Sequence, residues 1–417
     1  MRLVRQGPLV QGAQVAASVV IAVALFSGAG WALSDVTLYY RWTGQILDGQ
    51  IPYRDFFFDY PPLSLPALMA PRALSAFSDV TYGTYLVLFA ACMAGLSIAL
   101  FQVIRSVMRR LMTATAGRPA LTWHLVLMTL SLPVLLIRYD LWPILLVALA
   151  FLSTLDRRPV AAGAWLGVAI AAKLYAIVLL PLFAGYWLWS SGRTAAVRHL
   201  SITVATVAVT VLPFALLAGE SIGDLVRFQQ GRGLQVETAA GGVIQLLNAV
   251  WGEGLQVIHT GTYELVSDRV DSFLTVQPLI AFGAVGLSLA VGAYRLRHAA
   301  AVGRAPEMLA AVGTACLIAF MLTNRALSPQ HVFWCLSFAA LLAGYRHHLL
   351  AAVIILTLAV FPLLYQQLLA QEVLPILVLN ARNVLLALLA VVLLVRPVAA
   401  QAERAGRVGE RIAQRSG

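Results

Sequence analysis

The sequence predicts an all-α, polytopic integral membrane protein of about 12 transmembrane helices, with amphipathic helices in its first outer loop. Three observations predict it. Hydrophobic residues make up 60% of the 417 residues and charged residues 11%, with a mean hydropathy of +0.84; a soluble domain carries roughly 25% charged residues. Apolar runs long enough to cross a hydrocarbon core of about 30 Å recur from one end of the chain to the other. These runs lack period-two alternation, so backbone groups that lipid cannot satisfy must be bonded within helices rather than around a barrel.

Taken in order, the expected spans are 13–34, 80–104, 121–137, 141–155, 159–172, 174–190, 200–218, 276–296, 307–323, 331–345, 349–366 and 380–399. Residues 1–12 then form a cytoplasmic N-terminus, 13–399 one membrane domain, and 400–417 a basic cytoplasmic tail. The first apolar run is too long for a signal-peptide core and lacks a small-residue cleavage pattern. Segment 61–78 is apolar but opens with Pro61-Pro62 and contains Pro66, Pro71 and Arg72. It reads as interfacial or re-entrant.

Charge sets the orientation. With 61–78 not spanning, inner loops and tails hold nineteen of the 28 arginines, and both termini are cytoplasmic. The outer side holds nine arginines and Lys173, together with fourteen of the 18 acids. The net charge of +11 therefore reflects inner loops against an anionic leaflet and calls for no nucleic acid. Cys92, Cys316 and Cys335 lie in apolar runs and read as packing residues, neither a disulfide framework nor a metal site. One lysine against 28 arginines fits GC-rich codon usage and a bacterial source.

Two outer loops, 35–79 and 219–277, carry the polar chemistry. In the first, Leu38, Trp42 and Ile46 share one helical face, Ser34 or Asp35 suits the helix start, and Gly49 suits its end. Asp35 stands at the outer end of the first span. A carboxylate at that depth is costly and marks a candidate site; its alternative reading is a helix N-cap. Asp55 and Asp59 follow in an aromatic, proline-stiffened stretch and read more readily as solvated loop acids. Other polar groups fall on separate outer turns: Arg138 and Asp140, Lys173, Arg232 and Glu237, Arg325 with Gln330 and His331, and Arg382. Each alone reads as a residue snorkelling to water. Together, cations on several turns suit an anionic headgroup, and carboxylates beside them suit acid–base work.

These residues carry a resemblance. Asp35 and Tyr39 are followed by Gly49-Gln50-Ile51-Pro52-Tyr53-Arg54-Asp55 and Tyr60-Pro61-Pro62-Leu63. Later come Arg138-Tyr139-Asp140-Leu141-Trp142-Pro143, Ala172-Lys173-Leu174-Tyr175 and Leu327-Ser328-Pro329-Gln330-His331. Over roughly 30 to 395 the chain resembles the C-type membrane glycosyltransferases. It is most similar to glycosyltransferase family 87, the polyprenol-phosphate-mannose-dependent mannosyltransferases and their relatives. The resemblance implies a polyprenyl-phosphate sugar donor and a lipid or glycan acceptor. It also implies inverting transfer on the outer face and a general-base aspartate at the position of Asp35. Arg138-Tyr139-Asp140 departs from the residues many members carry there, which leaves the donor sugar and the acceptor open. No cofactor or metal is expected, because a lipid phosphate leaves readily. A polysaccharide ligase or polymerase is the first rival, using the same outer arginines without needing Asp35. A secondary transporter is the second, although no internal repeat is visible and the polar residues favour outer ends over the midplane.

Overall fold

The structure is a computed structural model that describes residues 7–26, 35–112, 114–252 and 254–396. The described residues are 81% helical. Helix α1 (Gly7–Phe26) is followed by the short helices α2 (Val36–Leu47) and α3 (Leu65–Leu74). Then come α4 (Tyr82–Leu111), α5 (Ala114–Leu135), α6 (Leu141–Leu155), α7 (Pro159–Ala172), α8 (Leu180–Ser191) and α9 (Arg193–Ala218). The segment 219–277 holds α10 (Gly223–Gly231), α11 (Ala239–Trp251) and three short strands, β1 (Leu234–Gln235), β2 (Gln256–His259) and β3 (Tyr263–Val266). The strands form an antiparallel sheet of order β1-β3-β2. The last helices are α12 (Asp268–Ala301), α13 (Ala305–Thr323), α14 (Tyr345–Leu358), α15 (Tyr365–Leu369) and α16 (Val373–Val395).

Seven helical segments among the described residues are long and apolar enough to cross a membrane: Tyr82–Leu111, Leu174–Ser191, Arg193–Gly231, Asp268–Ala301, Ala305–Thr323, Tyr345–Leu363 and Val373–Val395. The expected 12 spans therefore need correction. Helices α6 and α7 fall where 141–155 and 159–172 predicted them. At 15 and 14 residues, however, each is about 20 Å long, short of a full crossing. The run 331–345 is no α-helix: Pro329–Ser337 and Ala339–Leu341 are 3₁₀ turns, almost wholly buried. Irregular backbone survives at such depth only when protein surrounds it, and here Ser337 donates to Ile144 O at 3.0 Å. Of 13–34, the part beyond Phe26 lies outside the described residues, as does the tail after Arg396.

Burial separates inner from outer helices. Thirteen of the 19 residues of α13 are buried, and ten of the 15 in α6 are. Helices α9 and α12 present Leu216, Leu279 and Phe282 outward, at 75%, 75% and 83% exposure. An apolar surface of that extent belongs in lipid. Gly163 and Gly167 on α7 let α9 approach closely: a Cβ would lie 2.5 Å from His199 O at the first and 2.7 Å from Thr206 Cβ at the second. This is small-xxx-small packing, and Thr203 reinforces it by donating to Gly163 O at 3.1 Å.

Segment 35–79 keeps its expected elements but turns one face. Gly49, at φ 83°, ends α2 in a conformation that favours glycine. Helix α2 buries Val36, Tyr39, Trp42 and Thr43; Leu38 and Ile46 are only half-buried. Hydroxyl groups are affordable inward because they are bonded. Thr43 Oγ1 donates to Tyr39 O at 2.8 Å and receives Arg72 Nε at 3.3 Å. Helix α3 has 10 residues, about 15 Å, and does not span. Arg72 anchors it between the Tyr40 and Tyr85 rings, 4.7 and 5.3 Å from their centroids.

Candidate active site

Asp35 occupies the N-cap position of α2, yet its side chain makes no capping bond. Its backbone carbonyl takes the first turn's N–H groups, from Leu38 and Tyr39. The carboxylate is therefore left for other partners. Arg138 Nε lies 3.1 Å from Asp35 Oδ2, and the Tyr39 hydroxyl donates to the same oxygen at 3.4 Å. Arg138 sits in the tight turn between α5 and α6, and its Nη1 donates to Ile137 O at 3.0 Å. Of the paired side chains, Asp35 is 27% exposed and Arg138 only 7%. This is an ion pair against buried protein, with the carboxylate on the open side.

A second pair stands behind it. Lys173 Nζ donates to Asp140 Oδ1 at 2.7 Å, and Trp334 Nε1 donates to the same oxygen at 2.7 Å. Lys173 follows α7, where the chain turns into the 3₁₀ segment Leu174–Leu179. Its ammonium also faces the Tyr139, Tyr60 and Trp334 rings at 4.7, 5.7 and 5.7 Å. Trp334 stacks on Tyr175 with centroids 4.0 Å apart, and the His331 ring packs on Trp334 at 4.3 Å. Tyr39, Tyr60 and Tyr139 close the wall: Tyr139 contacts Tyr60 at 4.8 Å and Tyr39 at 6.0 Å. Fixed rings and a bonded carboxylate hold Lys173 in one place.

The other expected residues divide. Asp55 is an exposed loop acid, chelated by Arg54 at 2.8 Å and by the Ile51 N–H at 2.7 Å. It organises its own loop. Asp59, expected to be solvated beside it, is instead drawn inward. Its Oδ1 is buried without a hydrogen-bond partner. Burial and the nearby Asp35 push its carboxyl up to about 6, against the pull of Arg232 and Lys173. Glu237 is 2% exposed, and burial pushes its carboxyl up to about 7 despite Arg382 and Arg138. Arg382 on α16 is fully buried. It donates to the Glu237 backbone carbonyl and, at 2.9 and 3.1 Å, to Asn383 Oδ1.

Arg325 braces the second outer loop. It donates to Gln277 Oε1 at 3.0 Å, to Gln230 O at 2.7 Å and to Arg232 O at 3.1 Å. The Arg232 side chain makes no hydrogen bond or ion pair among the described residues; its guanidinium lies 5.3 Å from the Phe228 centroid. Gln235 ties β1 to the facing turn, accepting from Leu327 N at 3.0 Å and donating to Ser328 Oγ at 3.1 Å. Glu237 follows this tie by two residues along the chain, and Gln330 and His331 follow Ser328 by two and three. Gln330 is 6% exposed, and its Oε1 has no partner.

The structure thus brings Asp35, Asp59, Tyr39, Arg138, Asp140, Lys173, Arg232, Glu237, His331 and Arg382 into one electrostatic neighbourhood, and Gln330 is the chain neighbour of His331. Asp55 stands apart on the surface and Arg325 in a bracing role. Trp334 and Gln277 were missed from sequence, Trp334 because it fell in an expected span and read as core. Among the described residues no three His, Cys, Asp or Glu side chains gather as a metal site.

Buried, fixed cations beside carboxylates can stabilise a leaving anion and accept a proton, the two demands of glycosyl transfer from an activated donor. No curated protein matches the sequence. The family model for glycosyltransferase family 87 matches residues 57–323. That range contains Asp59, Arg138, Asp140, Lys173, Arg232 and Glu237; Asp35, Tyr39, Arg325, Gln330, His331 and Arg382 lie outside it. With well over half its length matched, the chain belongs to glycosyltransferase family 87 and is a glycosyltransferase.

Proposed function

We propose that this glycosyltransferase moves a hexose or pentose from a polyprenyl-phosphate donor to a lipid or glycan acceptor on the outer face of the cell membrane, with inversion. The observation that carries the reading is Asp35: a carboxylate at a helix start that does no capping and faces Arg138 instead. In the proposed step the acceptor hydroxyl oxygen attacks the anomeric carbon, and its proton passes to Asp35. The bond from the anomeric carbon to the phosphate oxygen breaks, and the lipid phosphate leaves with the electron pair. Inversion needs only one carboxylate base, opposite the leaving group.

Charge grows on the departing phosphate, so fixed cations stabilise the transition state more than the bound donor. Of the outer cations, Arg138 and Lys173 are matched by Asp35 and Asp140, and Arg325 and Arg382 are held on backbone carbonyls. Arg232 has its donors uncommitted, and its field reaches Asp59 and His331. It is the first candidate for the phosphate, with Lys173 behind it. Arg138 is assigned to aiming Asp35. A lipid-borne donor accounts for a site built from the ends of membrane helices.

The test is direct. Purified protein in lipid is incubated with a panel of polyprenyl-phosphate sugars, and sugar transfer or release is measured. Release from at least one donor is expected; none from any of them, with the protein folded, removes the donor class.

A further inference from the structure

Buried oxygen acceptors without donors are expensive, about 1–3 kcal/mol each, and most buried polar atoms in a fold are satisfied. Three side chains here break that rule together. Asp140 Oδ2, Glu237 Oε1 and Gln330 Oε1 are all buried without a hydrogen-bond partner, on residues 0%, 2% and 6% exposed. They come from three distant parts of the chain. Asp140 is bonded through its other oxygen to Lys173 and Trp334. The His331 ring beside Gln330 packs on that Trp334. Glu237 lies in the field of Arg138 and Arg382.

A phosphate cannot satisfy these atoms. It presents only acceptors, and an added anion would repel the Asp140 carboxylate. A hydroxyl group can, because it donates, and a sugar ring supplies several at fixed spacing. We infer that Asp140, Glu237 and Gln330 form a hydroxyl-binding subsite for the ring of the transferred sugar, separate from the cations that hold its phosphate. The inference rests on the donor class proposed above. The ring assigned is the donor's because these three acceptors are the closed side of the site, whereas Asp35, which must meet the acceptor hydroxyl, is the open one. The subsite then sets sugar specificity, since a ring lacking a matched hydroxyl leaves a buried oxygen unpaired.

The experiment compares four ligands on the full chain in lipid nanodiscs. One is a short-chain polyprenyl phosphate without sugar; the others are its mannosyl, glucosyl and arabinosyl esters. Binding is measured for wild type, Glu237→Leu and Gln330→Leu, each checked for wild-type unfolding temperature within a few degrees. Wild type is expected to bind one ester at least roughly tenfold more tightly than the bare phosphate, the worth of one to two satisfied acceptors. Both variants should erase most of that ratio and leave bare-phosphate affinity within roughly threefold. An unchanged ratio in both variants overturns the subsite. So does equal weakening of both ligand types, or a wild type indifferent to every sugar. A wild type that binds neither esters nor bare phosphate overturns the donor class, and the subsite falls with it.

Discussion

Replacing Asp35 by asparagine separates chemistry from structure. The carboxylate makes no capping bond, so α2 loses none at its start. What changes is the contact with Arg138 at 3.1 Å and the acceptor role toward Tyr39 at 3.4 Å. Asparagine keeps an oxygen for both. The pair is partly open to water on the Asp35 side, so the lost charge costs on the order of 1 kcal/mol of stability. A general base contributes typically 10²–10⁴-fold, or about 3–5 kcal/mol of barrier. Turnover should therefore collapse while the unfolding temperature moves by a few degrees and donor binding persists. The assay is transfer from the best polyprenyl-phosphate sugar, with binding measured on the same sample. Asp35→Asn within a few-fold of wild type, with Asp59→Asn inactive, would reassign the base to Asp59. That carboxylate is already drawn inward with a free Oδ1. Full activity in both, and in Asp55→Asn, would end the carboxylate-base mechanism for this chain.

Arg232→Ala should weaken donor binding and slow transfer together, by an amount on the order of 2–4 kcal/mol; unchanged donor affinity would move the phosphate to another cation. Glu237 links stability to pH. Folding raises its carboxyl from 4.5 to about 7 by burial, so the folded chain keeps a proton that the unfolded chain has released. Stability thus falls as pH rises between those values, on the order of 3 kcal/mol at full effect. Glu237→Gln should flatten that slope in thermal melts from pH 4.5 to 8, leaving the smaller slope of the same sign from Asp59; a slope unchanged in the variant would mean that Glu237 is not held protonated. The orientation is open to thiol labelling. Single cysteines at the exposed positions Gln50 and Thr260 should react with an impermeant reagent in intact cells while one at Arg109 is protected, and the reverse pattern would place the site on the cytoplasmic side.

Much of the fold was legible because lipid leaves so few options. Helices α6 and α7 fall at their expected residues, since Asp140, Arg157-Arg158 and Lys173 punctuate an otherwise apolar stretch. Gly49 ended α2 as a glycine with positive φ should. The errors share one cause. Hydropathy measures whether a segment avoids water and not whether its neighbour is lipid or protein. Residues 331–345 are apolar because protein encloses them, so they need no continuous helix. The buried face of α2 turned toward Tyr39 and Thr43 because partners far away in sequence, Arg72, Tyr60 and Tyr139, make those hydroxyl-bearing residues acceptable inside.

The site was legible as a set of residues and illegible as a set of roles. Sequence flagged Arg325 and Arg232 alike, as outer cations, because a cation on a turn looks the same whether it grips backbone or waits for a ligand. The difference lies in Gln277, Gln230 and the carbonyl of Arg232, which occupy the donors of Arg325 and leave Arg232 uncommitted. Asp55 and Asp59 are four residues apart in one loop, yet Arg54 and the Ile51 N–H saturate the first while the second loses its water. The family match divides the site in the same way. It contains Asp59, Arg138, Asp140 and Lys173 but neither Asp35 on one side nor Gln330 and Arg382 on the other. The central segment thus carries most of the charge pairs, and flanking segments add the open carboxylate and part of the closed sugar-facing wall. If flanks vary more than the centre across such enzymes, phosphate handling and the Asp140 and Glu237 part of the sugar subsite are the common elements, and acceptor choice and the Gln330 contact the adjustable ones. Exchanging the turn that carries Gln330 should then change which sugar is transferred before it changes whether a lipid phosphate is bound.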